Sequence, residues 1–233
     1  MKNISINNFV FGNANSDRIV KTILSNQLAF PDNNSGKNGL VLFGNYGSGK
    51  STLAPLLCEW VEFARSGCEM NVSPAITIVN SSSSAATIAQ IDQQSRFVSM
   101  NKSGLHYFIL DEADNMNDQA QKNLKGLMSA RTNCVFILTT NYKSEIDKGV
   151  LNRSYDINMN PAPPIDYVPL LRDIAQKKHN AQLSADKLEE VARIGNGSWR
   201  NMLPALDVAC LKSNGASISL SKFQFPVSLK RSA

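Results

Sequence analysis

No stretch of about twenty consecutive apolar residues occurs in this 233-residue chain, which excludes a helix able to span a bilayer. Cysteine is scarce. The four residues Cys58, Cys68, Cys134 and Cys210 are scattered without any C-x-x-C spacing, so neither a zinc site nor a disulfide framework is indicated, and they read as reduced structural residues. The opening segment MKNISINNFVFG lacks the apolar core and cleavage site of a secretory signal, and the expectation is a cytoplasmic protein. Aromatic residues make up 7% of the chain. The stretch NSSSSAATIAQIDQQSRF offers no aromatic platform on which bases would stack, which favours contact with a nucleic-acid backbone over base-specific reading. What is present is 42% hydrophobic composition, enough for one good core or a main domain with a smaller second one. The formal net charge of +5 suits a polyanionic partner but is shared by many ordinary soluble proteins.

The most informative segment is GNYGSGKS, Gly44 to Ser51, which meets every position of the pattern G-x-x-x-x-G-K-[ST]. It follows the apolar run GLVLF and precedes TLAPLLCEWVEFARSG, a strand-like and then a helix-like segment. Glycines lacking Cβ let the backbone curl so that successive N–H groups face an anion. A helix starting near Gly49 adds its unpaired N–H groups and positive dipole end. Lys50 reaches the β- and γ-phosphates and Ser51 ligates Mg²⁺ in such a loop. Gly44, Asn45, Tyr46, Gly47, Ser48, Gly49, Lys50, Ser51 and Thr52 are therefore the nucleotide-binding residues, with ATP and Mg²⁺ as cofactors. Pro55 removes a helical hydrogen bond and predicts a local kink.

Upstream, DRIVKTILSNQLAF carries Ile19, Ile23, Leu24 and Leu28 on one helical face, with Ser16 or Asp17 as cap. PDNNSGKNG reads as an exposed turn. Apolar, β-rich runs recur at AITIVN, LHYFIL, CVFILTT and YDINM, separated by segments that can hold helices. That alternation predicts an α/β fold with a parallel sheet. The prolines of NPAPPID interrupt both periodicities, and three helical segments follow: IDYVPLLRDIAQKKH, SADKLEEVARIG with Ser184 as cap, and SWRNMLPALDVACLK. The expected organisation is a nucleotide-binding α/β domain over 1–160, a small helical lid domain over 161–213, and a tail over 214–233 of unassigned structure.

In HYFILDEAD the acids Asp111 and Glu112 follow an apolar strand. In a P-loop ATPase an acid there holds the hydration shell of Mg²⁺, and the next orients or deprotonates the attacking water. Asp111 is thus assigned to the metal with Ser51, and Glu112 to the water. CVFILTTNY is a further buried-looking strand, and parallel strands bring their carboxyl ends to one edge. Asn141 is therefore a candidate to contact the γ-phosphate or the water, with Thr140 a weaker one.

Taken in order, GNYGSGKST, FILDEADNMNDQAQKNLKGLM, FILTTNYKSEI, LNRSY and GSWRNML resemble an AAA+ ATPase. Within that superfamily they are most similar to the small, replication factor C-like subunits of sliding-clamp loaders, over about Arg18 to Leu211. The resemblance implies a P-loop fold with a helical lid, Asn141 at the sensor-1 position, Arg153 at the arginine of the loaders' Ser-Arg-Cys motif, and Arg200 at sensor 2. An arginine at position 153 would then project into a neighbouring subunit's nucleotide as a finger, and activity would require a homo- or hetero-oligomer with sites at subunit interfaces. Arg200 would couple lid position to the γ-phosphate. The implied function is ATP-driven remodelling of a DNA-bound assembly in replication, with DNA and a sliding clamp as partners. Two departures stand out. Asn152 and Ser154 flank Arg153 in place of Ser and Cys, and Tyr46 replaces a common loop proline. A collar domain of the loader kind has no counterpart after the lid, so assembly is expected to proceed by another route. Lys102, Lys122, Lys125, Arg96 and Arg131 are candidates for a basic inner surface. A helicase-loader or transposition-type DNA-binding ATPase shares this core, and an ATP-binding scaffold with little turnover is the non-enzymatic alternative.

Overall fold

The computed structural model describes residues 9–67, 74–80 and 85–213. Five strands, β1 (Gly39–Phe43), β2 (Ile76–Asn80), β3 (His106–Asp111), β4 (Cys134–Thr140) and β5 (Ser154–Asn158), form one sheet in the order β2-β3-β4-β1-β5. Every pairing is parallel. Around it run α1 (Ala14–Leu24), α2 (Lys50–Ser66), α3 (Ala85–Ser95), α4 (Asp118–Ala130) and the short α5 (Lys148–Asn152). Three further helices, α6 (Pro164–His179), α7 (Ala185–Gly195) and α8 (Trp199–Ser213), follow the last strand.

The central strands read as unbroken apolar runs because successive side chains enter two different apolar layers. Leu40, Leu42, Tyr107, Ile109, Val135 and Ile137 pack with Val20 and Ile23 of α1 and Leu53, Leu57 and Val61 of α2. Their neighbours Val41, Phe108, Leu110, Phe136 and Leu138 pack on the other face with Ile88 and Ile91 of α3 and Leu124, Leu127 and Met128 of α4. Phe136 is fully buried and stacks on Phe108 at 5.6 Å between ring centroids. Phe136→Ala is expected to cost about 3–5 kcal/mol of stability, measured as the shift in chemical denaturation. A loss under about 1 kcal/mol would mean that this layer is not tightly packed.

Local capping explains the helix limits and corrects two expectations. Asn13, in extended backbone, accepts the N–H of Ser16 at 2.8 Å and caps α1, so neither Ser16 nor Asp17 is the cap. Asn, Ser and Asp are near-equal caps, and the run Asn13 to Asp17 contains all three. Ser16 is instead buried, and its Oγ accepts the N–H of Asn158 at 2.8 Å, tying α1 to the end of β5. The helix ends at Leu24, and Leu28 packs on the same core from the following turn. α2 runs unbroken through Pro55 and stops at Gly67, whose left-handed φ of 61° closes it.

α6, α7 and α8 bundle around Tyr167, Leu171, Leu188, Val191, Met202 and Leu206. Pro164 opens α6 at its first turn, and Ser184 caps α7 by accepting the N–H of Lys187. Cys58, Cys134 and Cys210 are buried free thiols. Burial pushes the Cys134 thiol up to about 12, which makes it unreactive. Cys68 and the segment 214–233 lie outside the described residues.

Candidate active site

The register sets the site. Phe43 pairs with Thr140 and Leu110 with Leu138, so the loops after β1, β3 and β4 all open at one sheet edge. β1 leads through α2 to the distant strand β2, whereas β5 lies on its other side, and ligands of open α/β sheets bind at such a reversal.

Two glycines of the loop after β1 are required by close approach. A Cβ on Gly44, at φ 154°, would lie 2.5 Å from the backbone carbon of Met159, and one on Gly47, at φ 76°, would strike the Ser198 hydroxyl. Gly49 caps α2 in left-handed backbone without a side-chain acceptor, which leaves the first N–H groups of α2 directed at the loop. Lys50 is only 8% exposed. Its Nζ donates to the carbonyl oxygens of Gly44 at 2.8 Å and Asn45 at 2.9 Å. Burial holds its pKa below the ordinary lysine value, against the opposing pull of Asp114 and Asp111. A poorly solvated ammonium at the centre of an anion-binding loop is a strong attractor for phosphate.

The acids stand opposite. Ser51 Oγ donates to Asp111 Oδ1 at 2.9 Å, and Thr139 Oγ1 donates to the same oxygen at 2.5 Å. The Glu112 N–H donates to Thr139 Oγ1 at 3.0 Å. Glu112 has a positive φ of 55°, an uncommon conformation for a residue with a side chain. Its exposed carboxylate accepts from Asn115 Nδ2 at 3.3 Å. Asn141 Oδ1 is buried and without a hydrogen-bond partner among the described residues, a cost that a ligand in the cleft would relieve. Thr140 also lines the cleft, and its Oγ1 accepts the N–H of Tyr142 at 3.0 Å, which shapes the turn that carries Asn141.

A cleft of about 400 Å³ joins Tyr46 to Thr52 with Asp111, Glu112, Thr139, Thr140, Asn141 and the start of α8. Arg200 lines it, as does Trp199, which sequence reasoning passed over. The Trp199 N–H donates to Gly47 O at 2.8 Å and fastens the helical bundle to the loop. The motif GSWRNML, which contains Trp199, was the available signal. Tyr46 is exposed and meets Tyr142 edge to face at 6.5 Å.

Arg153 is not brought to this cleft. It precedes β5, and its carbonyl accepts the N–H groups of Asn38 and Gly39 at the start of β1, so it occupies the opposite sheet edge, about 16 Å away along a five-residue strand. There its Nε donates to Ser129 Oγ at 2.7 Å and its guanidinium to Gly149 O at 2.8 Å. The expected basic surface is thinner than its residue count. Arg131 and Arg96 both bind Asp92, whose carboxyl they hold below its ordinary range. Lys125 lies 3.6 Å from Asp147, while Lys102 and Lys122 are exposed.

Residues 40–160 match the ATPase family associated with various cellular activities (AAA), and the chain belongs to that family. It is 31% identical over 176 residues to Replication factor C small subunit 2 of Pyrobaculum islandicum, an alignment covering 73% of this chain and 52% of that protein. It is 30% identical over 178 residues to Replication factor C subunit 5 of Mus musculus, covering 72% and 49%. The chain thus spans about half the length of these curated relatives. Its fold resembles the Holliday junction branch migration motor RuvB of Thermotoga maritima, with a TM-score of 0.62 at 13% identity over 88% of this chain and 65% of that one. It also resembles PCH-2 of C. elegans, with a TM-score of 0.56 at 15% identity over 87% and 65%. At those identities the likeness concerns fold alone. The chain is therefore an AAA ATPase domain related to replication factor C subunits, with the nucleotide binding that the family implies. Among the described residues, no helix is long and apolar enough to cross a membrane.

Proposed function

We propose that this chain is one subunit of an oligomeric ATPase that binds and hydrolyses ATP to remodel a DNA-bound assembly, in a clamp-loader-like role in replication. The observation that carries the reading is the separation of parts. Lys50, Ser51, Asp111, Glu112, Asn141 and Arg200 converge on one sheet edge, while Arg153 is held at the other, so a head-to-tail neighbour is needed to complete each site.

In this mechanism the N–H groups of the loop at 44–49 and Lys50 hold the phosphates. The all-oxygen set of Ser51 and Asp111 fits a hard cation that keeps most of its waters: Ser51 would ligate Mg²⁺ and Asp111 would hold its hydration shell. When bound, Mg²⁺ supplies neutralisation of charge on the phosphate oxygens. Glu112 accepts one proton of the attacking water and Asn141 Oδ1 accepts a hydrogen bond from the other, which aims an oxygen lone pair at the γ-phosphorus. As the water oxygen bonds to that phosphorus, its bond to the bridging oxygen breaks and the electron pair leaves on the β-phosphate of ADP, while Arg153 of a second copy stabilises the transferred group. Arg200 senses its loss and, through α8, moves the helical bundle.

A protein partner suits a second feature. Phe97, Val98 and Met100 are 73%, 91% and 93% exposed on the loop after α3, and adjacent exposed apolar side chains mark interaction surfaces. A sliding clamp is the proposed occupant. Steady-state ATP hydrolysis measured with and without primed single-stranded DNA tests the DNA-linked role. DNA is expected to stimulate turnover, and a clamp to stimulate it further. Turnover indifferent to both would leave an ATPase but overturn the replication role. Stimulation that grows with DNA length and ignores the clamp would favour a helicase-loader type of assembly.

A further inference from the structure

We infer that Thr139 is a positioning residue for hydrolysis, an inference that rests on the assignment of Glu112 to the attacking water. Its hydroxyl has one hydrogen to donate and lone pairs to accept with. The hydrogen goes to Asp111 Oδ1 at 2.5 Å, and a lone pair takes the Glu112 N–H at 3.0 Å. One atom on β4 therefore fixes both acids at the end of β3. Thr139 is 2% exposed, so bulk water does not replace its hydroxyl.

The backbone shows what that bond does. Glu112 sits at φ 55° and ψ 48°, a conformation that persists for a side-chain-bearing residue only where its surroundings over-determine it. The hydrogen bond from the Glu112 N–H holds the Asp111–Glu112 peptide in the orientation that places the Glu112 carboxylate in the cleft. The contact to Asp111 has a separate use. Ser51 also donates to Asp111 Oδ1, at 2.9 Å, and when the Ser51 hydroxyl turns to a metal the Thr139 hydroxyl keeps that carboxylate aimed. Thr140 makes no such pair of bonds: its hydroxyl accepts the Tyr142 N–H. Asn141 is two residues further along, so the strand that presents the buried acceptor for the water also sets the base.

Thr139→Val keeps the shape and removes the hydroxyl; Thr139→Ser keeps the hydroxyl and removes the methyl. Rates of ATP hydrolysis across an ATP titration, with ATP affinity measured separately, read the two apart. Thr139→Val is expected to lower kcat by about a hundredfold with KM near wild type, because misplacement of a reacting group costs rate more than binding. Thr139→Ser is expected to keep most of kcat. Thr139→Ala is a second hydroxyl-free variant, and retained ATP affinity certifies the fold of the cleft in each. A hydroxyl-free variant that binds ATP and turns over within about twofold of wild type overturns the inference, as does a Thr139→Ser variant as slow as Thr139→Val. Glu112→Gln in the same assay separates the two failures. If it is inactive while Thr139→Val is fully active, only the role of Thr139 falls; if it hydrolyses normally, the assignment of Glu112 falls and the inference with it.

Discussion

Glu112→Gln should leave ATP binding intact and lower turnover by about a hundredfold or more, the range for removing a general base. The two side chains are nearly the same size, and the backbone conformation of Glu112 depends on its N–H and Thr139 rather than on its carboxylate. The contact to Asn115 is long, at 3.3 Å, and exposed, so little stability rides on it. What the substitution removes is an anionic acceptor for the proton of water. The phosphate-holding groups, Lys50 and the loop amides, are untouched, so ATP affinity measured by titration should match wild type. Undiminished hydrolysis would remove Glu112 from the mechanism, and lost ATP affinity would show that the carboxylate serves the fold of the cleft.

Arg153→Ala should be the most damaging substitution to turnover outside the cleft itself. An arginine supplied to a transferring phosphoryl group is worth about 10³–10⁵ in rate, and the same direction is expected here although Arg153 contributes nothing to its own subunit's cleft. Ser129 Oγ and Gly149 O fix its orientation. Lysine carries one ammonium in place of that planar fork, so Arg153→Lys should rescue poorly. ATP binding by the isolated variant should be normal. Loss of binding, or full activity, would each contradict the assignment of Arg153 to a neighbour's site.

How much was readable in the sequence depends on the range of the interaction. The P-loop and the strand that leads into Asp111 and Glu112 were legible because each is a local pattern of a few residues, and the central strands β1, β3 and β4 were legible because strands buried on both faces leave few polar interruptions; β2 and β5, at the sheet's edges and partly exposed, showed as shorter β-rich runs. The cap of α1 was not, since Asn13, Ser16 and Asp17 are chemically near-equivalent and the tie from Ser16 to Asn158 spans 142 positions. Arg131 looked like surface charge because its partner Asp92 is 39 positions away, whereas Arg96 is an exposed neighbour of Asp92 four positions along the chain. Thr139 was invisible for the same reason: its contacts come from register beside β3, and the sequence put forward only Asn141 and, more weakly, Thr140 at this end of β4. Arg153 was legible only through resemblance, and the structure places it away from the cleft, at the start of β5.

The central claim is that each site is completed by a neighbour, and mixing two defective proteins tests it most directly. Glu112→Gln and Arg153→Ala are each expected to be nearly inactive alone. Combined in equal amounts, about a quarter of the head-to-tail interfaces would join a nucleotide-bearing Arg153→Ala subunit, with its own Glu112, to a Glu112→Gln neighbour that supplies Arg153. The account predicts that hydrolysis by the mixture rises well above the sum of the two proteins measured separately. A mixture no more active than that sum would contradict it.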